Sequence, residues 1–194
     1  MLASKALEPA AKAGKRPLLL FYYSGHGGAA HDFFRTEKDS MDQTLCLWDG
    51  QLLDNLFWQV LLKVPEGVKF VHITDTCNSG TNFKLAPSME LLGYSPDKLY
   101  RARHRLNDDK LKCDFIHFGG CADGEMSKGN VIYGGIFTYT LMQTVKPNNK
   151  SYYQWFIETK AAIPKMGQNP TMVVIQSEES IFNNGKVEDT PALK

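Results

Sequence analysis

Apolar residues along this chain fall into two arrangements, and each predicts a different element. Largely apolar stretches occur at residues 16–23, 68–75, 115–118 and 171–175. In the first of these the run Leu18–Tyr23 does not alternate with polar residues, which suits a strand covered on both faces, as in a parallel sheet flanked by helices; the other three stretches also predict strands. The second arrangement is helical. Leu52, Leu53, Leu56, Phe57, Val60 and Leu61 recur at helical spacing and predict an amphipathic helix that stops at Pro65-Glu66-Gly67. Residues 134–145 and 151–163 predict two more helices. Residues 3–13, rich in Ala, Leu, Lys and Glu, predict a short one that Pro9 would interrupt. Gly25, Gly27 and Gly28 are expected to end the first strand. A polar, acidic loop over 29–50 would follow, with a short strand at 44–48 closed by Asp49-Gly50. The order strand, loop, helix, strand is the crossover unit of a doubly wound α/β sheet.

Size and charge narrow the classes. At 194 residues and 43% hydrophobic content the chain can bury one core, which predicts a single domain. A formal net charge of +1 gives no general attraction to nucleic acid or to a membrane, so neither is an expected partner. The longest apolar stretches fall short of the roughly 20 residues that span a bilayer. Met1-Leu2-Ala3-Ser4-Lys5 has no signal-peptide hydrophobic block, and the expected location is cytoplasmic. Cys46, Cys77, Cys113 and Cys121 lack the dense spacing of a disulfide scaffold, which predicts reduced thiols.

The chemistry concentrates where two of the predicted strands end. One runs into Ser24-Gly25-His26-Gly27-Gly28, the other into Asp75-Thr76-Cys77-Asn78-Ser79-Gly80. Carboxyl ends of parallel strands open into a crevice lined by loop residues, so this placement offers a thiol nucleophile and an imidazole acid/base at one rim. A lone cysteine is more often a small buried hydrophobe; the companion His26 outweighs that reading for Cys77. His72, inside an apolar strand, reads as a core residue, and His31 and His104 as solvated loop residues. Cys113, His117 and Cys121 invite a zinc reading, but strand residues four apart lie about 13 Å from one another, too far to share one ion. Glu37, Asp39, Asp42, Asp49 and Asp54 form an acidic neighbourhood without the ordered spacing of a calcium loop, and a solvated acidic surface is expected.

The two motifs resemble the histidine and cysteine motifs of the caspase-like cysteine peptidases, within them the metacaspase and bacterial caspase-homologue branch. His26 precedes Cys77 by the roughly 50 residues usual in caspases. Asp75-Thr76-Cys77 has the metacaspase form, where animal caspases carry Gln-Ala-Cys. The similarity continues through Gly119-Gly120-Cys121-Ala122-Asp123 and Gly134-Gly135-Ile136-Phe137-Thr138 to Gln168-Asn169-Pro170, covering most of residues 16–176. It implies a caspase-like, mostly parallel sheet with helices on both faces. One peptidase domain over 1–194 would divide into a large segment of about 1–83, a linker of about 84–112, a small segment of about 113–176 and a tail at 177–194.

The resemblance also implies a cysteine endopeptidase that cleaves proteins or peptides after Arg or Lys. Cys77 would be the nucleophile and His26 the acid/base, with the amides of Gly27 and Cys77 forming the oxyanion hole. Ser24 and Asp75 match positions that line the first specificity pocket. The chemistry requires no cofactor. Calcium is an implied activator, with Asp39, Asp42, Asp49 and Asp54 as candidate ligands, although Asn55 stands where the family often has a second acid. Arg101, Arg103 and Arg105 suggest self-processing in the linker, or else a solvated basic face on a short helix over 98–111. A complete family member has another strand and helix before the histidine strand, so the chain is expected to be truncated there, without one aspartate of the pocket. Two alternatives stay open: a catalytically weak or inactive regulatory or binding module, and a fragment that needs the missing N-terminal part. The oligomeric state is not legible.

Overall fold

The computed structural model describes residues 2–31, 41–77, 100–103, 111–122, 125–130, 132, 134–145, 150–163 and 168–176. In chain order the elements are α1 (Leu2–Lys12), β1 (Leu18–Ser24), β2 (Gly27–His31), β3 (Met41–Leu47), β4 (Gly50–Leu53), α2 (Asp54–Leu61), β5 (Lys69–Asp75), β6 (Tyr100–Arg103) and β7 (Asp114–Gly119). There follow β8 (Gly129–Asn130), β9 (Gly134–Gly135), α3 (Ile136–Thr144), α4 (Tyr152–Ala162) and β10 (Thr171–Gln176). The main sheet has the order β1-β5-β7-β10-β6. β1, β5 and β7 run parallel, while β10 is antiparallel to β7 and parallel to β6. This is the α/β, mostly parallel sheet that the apolar runs predict.

Every residue of β5, β7 and β10 is buried, because helices cover both faces. Successive side chains point to opposite faces. Phe70, Phe115, Val173 and Ile175 therefore pack with Phe57, Trp58 and Leu61 of α2, joined by Leu7 and Ala11 of α1. Val71, Ile116, Phe118 and Val174 pack on the other face with Phe137 and Leu141 of α3 and with Trp155 and Phe156 of α4. Each fully buried aromatic or branched side chain contributes about 1.5–3 kcal/mol. The two helices on this face are also tied by Trp155 Nε1, which donates to the Leu141 carbonyl at 2.9 Å. Ser151 and Gln154 form a capping box that starts α4. Among the described residues no helix is long and apolar enough to cross a membrane.

Four expectations need correction. β1 is not fully buried: Leu20 and Tyr22 are each 48% exposed, because β1 is an edge strand paired only with β5 among the described residues. The glycines after it do not stop the extended chain. Gly27–His31 forms β2, which pairs antiparallel with β3, and β3 pairs with β4, so much of the expected loop is a three-stranded sheet. His31 is exposed as expected, but at the end of a strand. Helix α1 continues through Pro9: the proline gives up its own N–H and crowds the carbonyl four residues back, but its carbonyl still accepts from Ala13 N at 3.1 Å. Finally, Tyr100–Arg103 is a strand alongside β10 and not a loop or helix, so Arg101 and Arg103 sit in the sheet. His104, Arg105 and the linker residues 84–99 and 106–110 lie outside the described residues.

Two histidines interrupt the apolar centre. His72 of β5 and His117 of β7 are register partners, both 0% exposed, with their Nδ1 atoms 3.0 Å apart. One ring must donate and the other accept, so at least one stays neutral. Phe57 stacks on His72 with ring centroids 4.4 Å apart. Burial first, and the neighbouring His117 second, hold His72 well below the usual imidazole value of 6.5. An unfolded chain takes up that proton near pH 6.5, while the folded chain resists it. The stability that depends on neutral His72 is therefore complete above pH 6.5 and is lost as pH falls below it. Urea unfolding at pH 7.5 and pH 5.5 should show the decline, approaching about 1.4 kcal/mol per pH unit for each proton taken up only on unfolding. In His72→Leu/His117→Leu, which removes both partners together, the dependence should flatten. An unchanged slope would place the acid sensitivity elsewhere.

Candidate active site

Parallel pairing between β1 and β5 runs without a slip from Leu18↔Lys69 to Ser24↔Asp75. His26 and Cys77 each lie two residues beyond that last pair, at the same carboxyl edge of the sheet. Gly25 N extends the ladder by one bond, donating to the Asp75 carbonyl at 3.2 Å. The strands then part, and Gly27 passes so close to the other loop that a Cβ there would run into the Cys77 carbonyl oxygen. Only a residue without a side chain fits between them. His26 is exposed and Cys77 half-buried.

Both loops are fastened through their backbones. On the histidine side the Tyr23 hydroxyl donates to the Cys46 carbonyl at 2.6 Å and lies 3.2 Å from the His26 carbonyl oxygen. Cys46 N donates to that same His26 oxygen at 3.0 Å. Burial, with Cys46 adding to it, pushes the Tyr23 phenol up, which keeps its donor proton in place. On the cysteine side the buried Cys121 thiol donates to the Thr76 carbonyl at 3.0 Å, and the Thr76 hydroxyl donates to the Cys77 carbonyl at 3.1 Å. The four cysteines differ sharply in setting: Cys113 is wholly buried and its thiol is pushed up to about 12, chiefly by burial and then by Asp114. No disulfide joins any of them.

Asp75 is 3% exposed, and among the described residues its carboxylate is met by three donors. Oδ1 accepts from the Ser127 hydroxyl at 2.5 Å; Oδ2 accepts from Thr138 N at 2.9 Å and from the Thr138 hydroxyl at 2.7 Å. Thr138 is the third residue of α3, whose own N-cap, Gly135, has no side chain to bond the free N–H groups of the first turn. Asp75 therefore caps α3 from the end of β5, with its charge at the favourable end of the helix dipole. Two glycines make room for it. A Cβ on Gly135 would collide with the carboxylate, and one on Gly120 would stand 3.0 Å from Oδ1. Gln168 closes the arrangement, donating from Nε2 to the Gly120 carbonyl at 2.8 Å and standing 3.4 Å from the Ser127 hydroxyl.

Gly120, Gly135, Thr138 and Gln168 all lie in segments that the sequence singles out without assigning them a task. A helix start at Gly134-Gly135 with no capping side chain, and an aspartate at the end of a buried strand, were the available signals. Ser127 had none.

The other candidate residues divide. Ser24 is exposed and is the register partner of Asp75. Asp42 and Asp54 are each 2% exposed and not a solvated surface, because both lie where β3 meets the start of α2. The Asn55 side chain donates to Asp42 Oδ1 at 2.5 Å, while Asp54 accepts from Asn55 N at 2.7 Å and Gln43 N at 3.3 Å. Asp49 is exposed in the β3–β4 turn, roughly 16 Å along the strand from Asp42. Asp39 and Glu37 lie outside the described residues. Calcium takes six to eight oxygen ligands. Among the described residues no three His, Cys, Asp or Glu side chains come together to hold a metal, Cys113, His117 and Cys121 included. Asn55 directs an N–H donor at Asp42, so Asp42 and Asp54 alone do not make a calcium site.

Comparison with known proteins adds the family. A model of the caspase domain matches residues 4–182. Metacaspase-1 of Plasmodium falciparum is 28% identical over 185 residues, which are 89% of this chain and 29% of that protein. Metacaspase-1 of Arabidopsis thaliana is 29% identical over 140 residues, 66% of this chain and 38% of that protein. Metacaspase-5 of Trypanosoma brucei brucei is 28% identical over 171 residues, covering 77% and 33% respectively. The chain thus spans about a third of the length of these curated relatives. A crystal structure of a Geobacter sulfurreducens protein shares the fold, with a TM-score of 0.64 at 22% identity over 98% of this chain and 78% of that one. With the caspase-domain match extending over nearly all of the described strands and helices, the chain belongs to the caspase-domain family.

Proposed function

We propose that the chain is a cysteine endopeptidase of metacaspase type that cleaves proteins or peptides after Arg or Lys. The observation that carries this reading is the β1–β5 register, which sends His26 and Cys77 off the same edge of the sheet at the same level. In this reading the Cys77 thiolate attacks the scissile carbonyl carbon, and the electron pair moves to the carbonyl oxygen, held by the amides of Gly27 and Cys77. Collapse of that intermediate breaks the C–N bond as protonated His26 gives its proton to the leaving amine. A thioester on Cys77 remains. Water, giving a proton to His26, then attacks it; the C–S bond breaks and the acid leaves. The dyad supplies nucleophile and proton carrier, so no cofactor takes part in a step. The carboxylate of Asp75 and the hydroxyl of Ser24 select the cationic side chain before the cleaved bond. Reduced thiols and a thiol nucleophile fit a cytoplasmic setting.

A second reading, a catalytically weak binding or regulatory module, draws on the edge of β1, which among the described residues pairs only with β5 and exposes Leu20 and Tyr22. Activity measurements separate the two. Cys77→Ala should lower kcat/KM by about 10⁴-fold or more and His26→Ala by about 10²–10⁴-fold, with melting temperatures near the parent's because both residues lie on loops. Limited alkylation read by peptide mass spectrometry should label Cys77 ahead of buried Cys113 and Cys121. A Cys77→Ala protein that cleaves like the parent removes the peptidase reading.

Specificity is tested separately, on peptides that differ only in the residue before the cleaved bond. Arg and Lys should exceed Asp by at least about tenfold in kcat/KM, since an aspartate would meet like charge in the pocket. Preference for Asp would overturn the basic pocket.

A further inference from the structure

We infer that the Thr138 hydroxyl is a specificity-determining group: by occupying Asp75 Oδ2 it restricts the pocket to a single hydrogen bond from an incoming cation, and so suppresses discrimination of Arg over Lys. The inference rests on the proposed basic pocket. A carboxylate has about four acceptor positions, two on each oxygen. Oδ2 spends both, one on Thr138 N and one on the Thr138 hydroxyl. Oδ1 spends one on Ser127. The Thr138 hydroxyl is itself held in this orientation, because the Tyr22 hydroxyl lies 3.0 Å away and donates to it when its own proton points at Asp75.

The two oxygens are therefore not equivalent. Arginine gains its advantage over lysine by placing two parallel N–H groups on the two oxygens of one carboxylate. With Oδ2 filled, that fork cannot close on Asp75. Lysine, a point charge that needs one acceptor, loses nothing by the same restriction. The backbone N–H of Thr138 cannot be withdrawn, since it belongs to the first turn of α3. The hydroxyl can. The exposed groups beside this arrangement are on β1, where Ser24 is the register partner of Asp75 and half-exposed Tyr22 reaches Thr138.

The test compares kcat/KM for otherwise identical Arg and Lys peptides, because a ratio within one enzyme cancels losses from folding or general damage. Thr138→Val keeps the capping N–H and the side-chain shape, and should raise the Arg:Lys ratio by about tenfold, the effect of one charge-assisted hydrogen bond. Thr138→Ser, which restores the hydroxyl, should return the parent ratio. Ser127→Ala frees a position on Oδ1 only, and should leave the ratio within about twofold of the parent. Should Thr138→Val not fold, Thr138→Ala removes the same hydroxyl and carries the same expectation. An unchanged ratio in the valine and alanine variants overturns the inference while leaving the basic pocket standing, as does an equal rise in Ser127→Ala. A parent that prefers neither Arg nor Lys over Asp peptides overturns the pocket, and the inference with it.

Discussion

A carboxylate removed from water must be met by donors, and the site is built around the way Asp75 meets this demand. Its three hydrogen bonds come from residues 52 and 63 positions away in sequence, so the end of β5 is tied to the chain before β8 and to the first turn of α3. Each bond to a charged group contributes about 1.5–3 kcal/mol, and removing one donor would leave a buried charge short of partners. Cys77 follows Asp75 by only two residues. The position of the thiol is thus set by the helix cap as much as by the sheet. Gly120 and Gly135 are the steric counterpart of that bond network, because a side chain at either position would crowd the carboxylate.

The histidine side follows a different logic. Among the described residues nothing comparable to Asp75 anchors it; the Tyr23 hydroxyl and the Cys46 amide converge on backbone carbonyls around His26 and leave the imidazole exposed. That asymmetry suits the proposed division of labour. A nucleophile must be held where the carbonyl carbon arrives, whereas an acid/base group serves two positions in turn, the leaving amine and then the attacking water. Gly27 lets the two loops approach without a side chain between them.

Legibility in the sequence tracked how far a feature depends on local pattern. β5, β7, β10 and the helices α2, α3 and α4 are readable because continuous burial and helical spacing leave a periodic trace. β1 is read as a strand but not as an edge, since exposure of Leu20 and Tyr22 depends on which neighbour is present and not on the residues themselves. β2 escapes notice because Gly27-Gly28-Ala29-Ala30 has no strand propensity of its own and is extended only through pairing with β3. His26 and Cys77 are legible as candidates, being reactive residue types at the ends of apolar runs. The cage around Asp75 is not, because hydrogen-bond partners far apart in sequence leave no period. The same holds for Asp42 and Asp54, whose acidity suggests a solvated surface although the fold buries both.

Two of the polar residues buried in β5, one on each face of the sheet, favour a single register for this strand. His72 meets His117 of β7 across the ladder, and Asp75, three residues on, meets Ser127 and Thr138. A slip of one residue would turn every side chain of β5 to the other face, separating the imidazoles and burying the carboxylate away from its donors. Either loss would cost more than an apolar strand pays for misregister, since apolar contacts are re-formed at the next position and these hydrogen bonds are not. The same register sets Ser24 beside Asp75 and brings His26 level with Cys77. The polar groups inside the sheet thus align the reactive groups at its rim: correct pairing along β1, β5 and β7 is the condition for the site to exist at all.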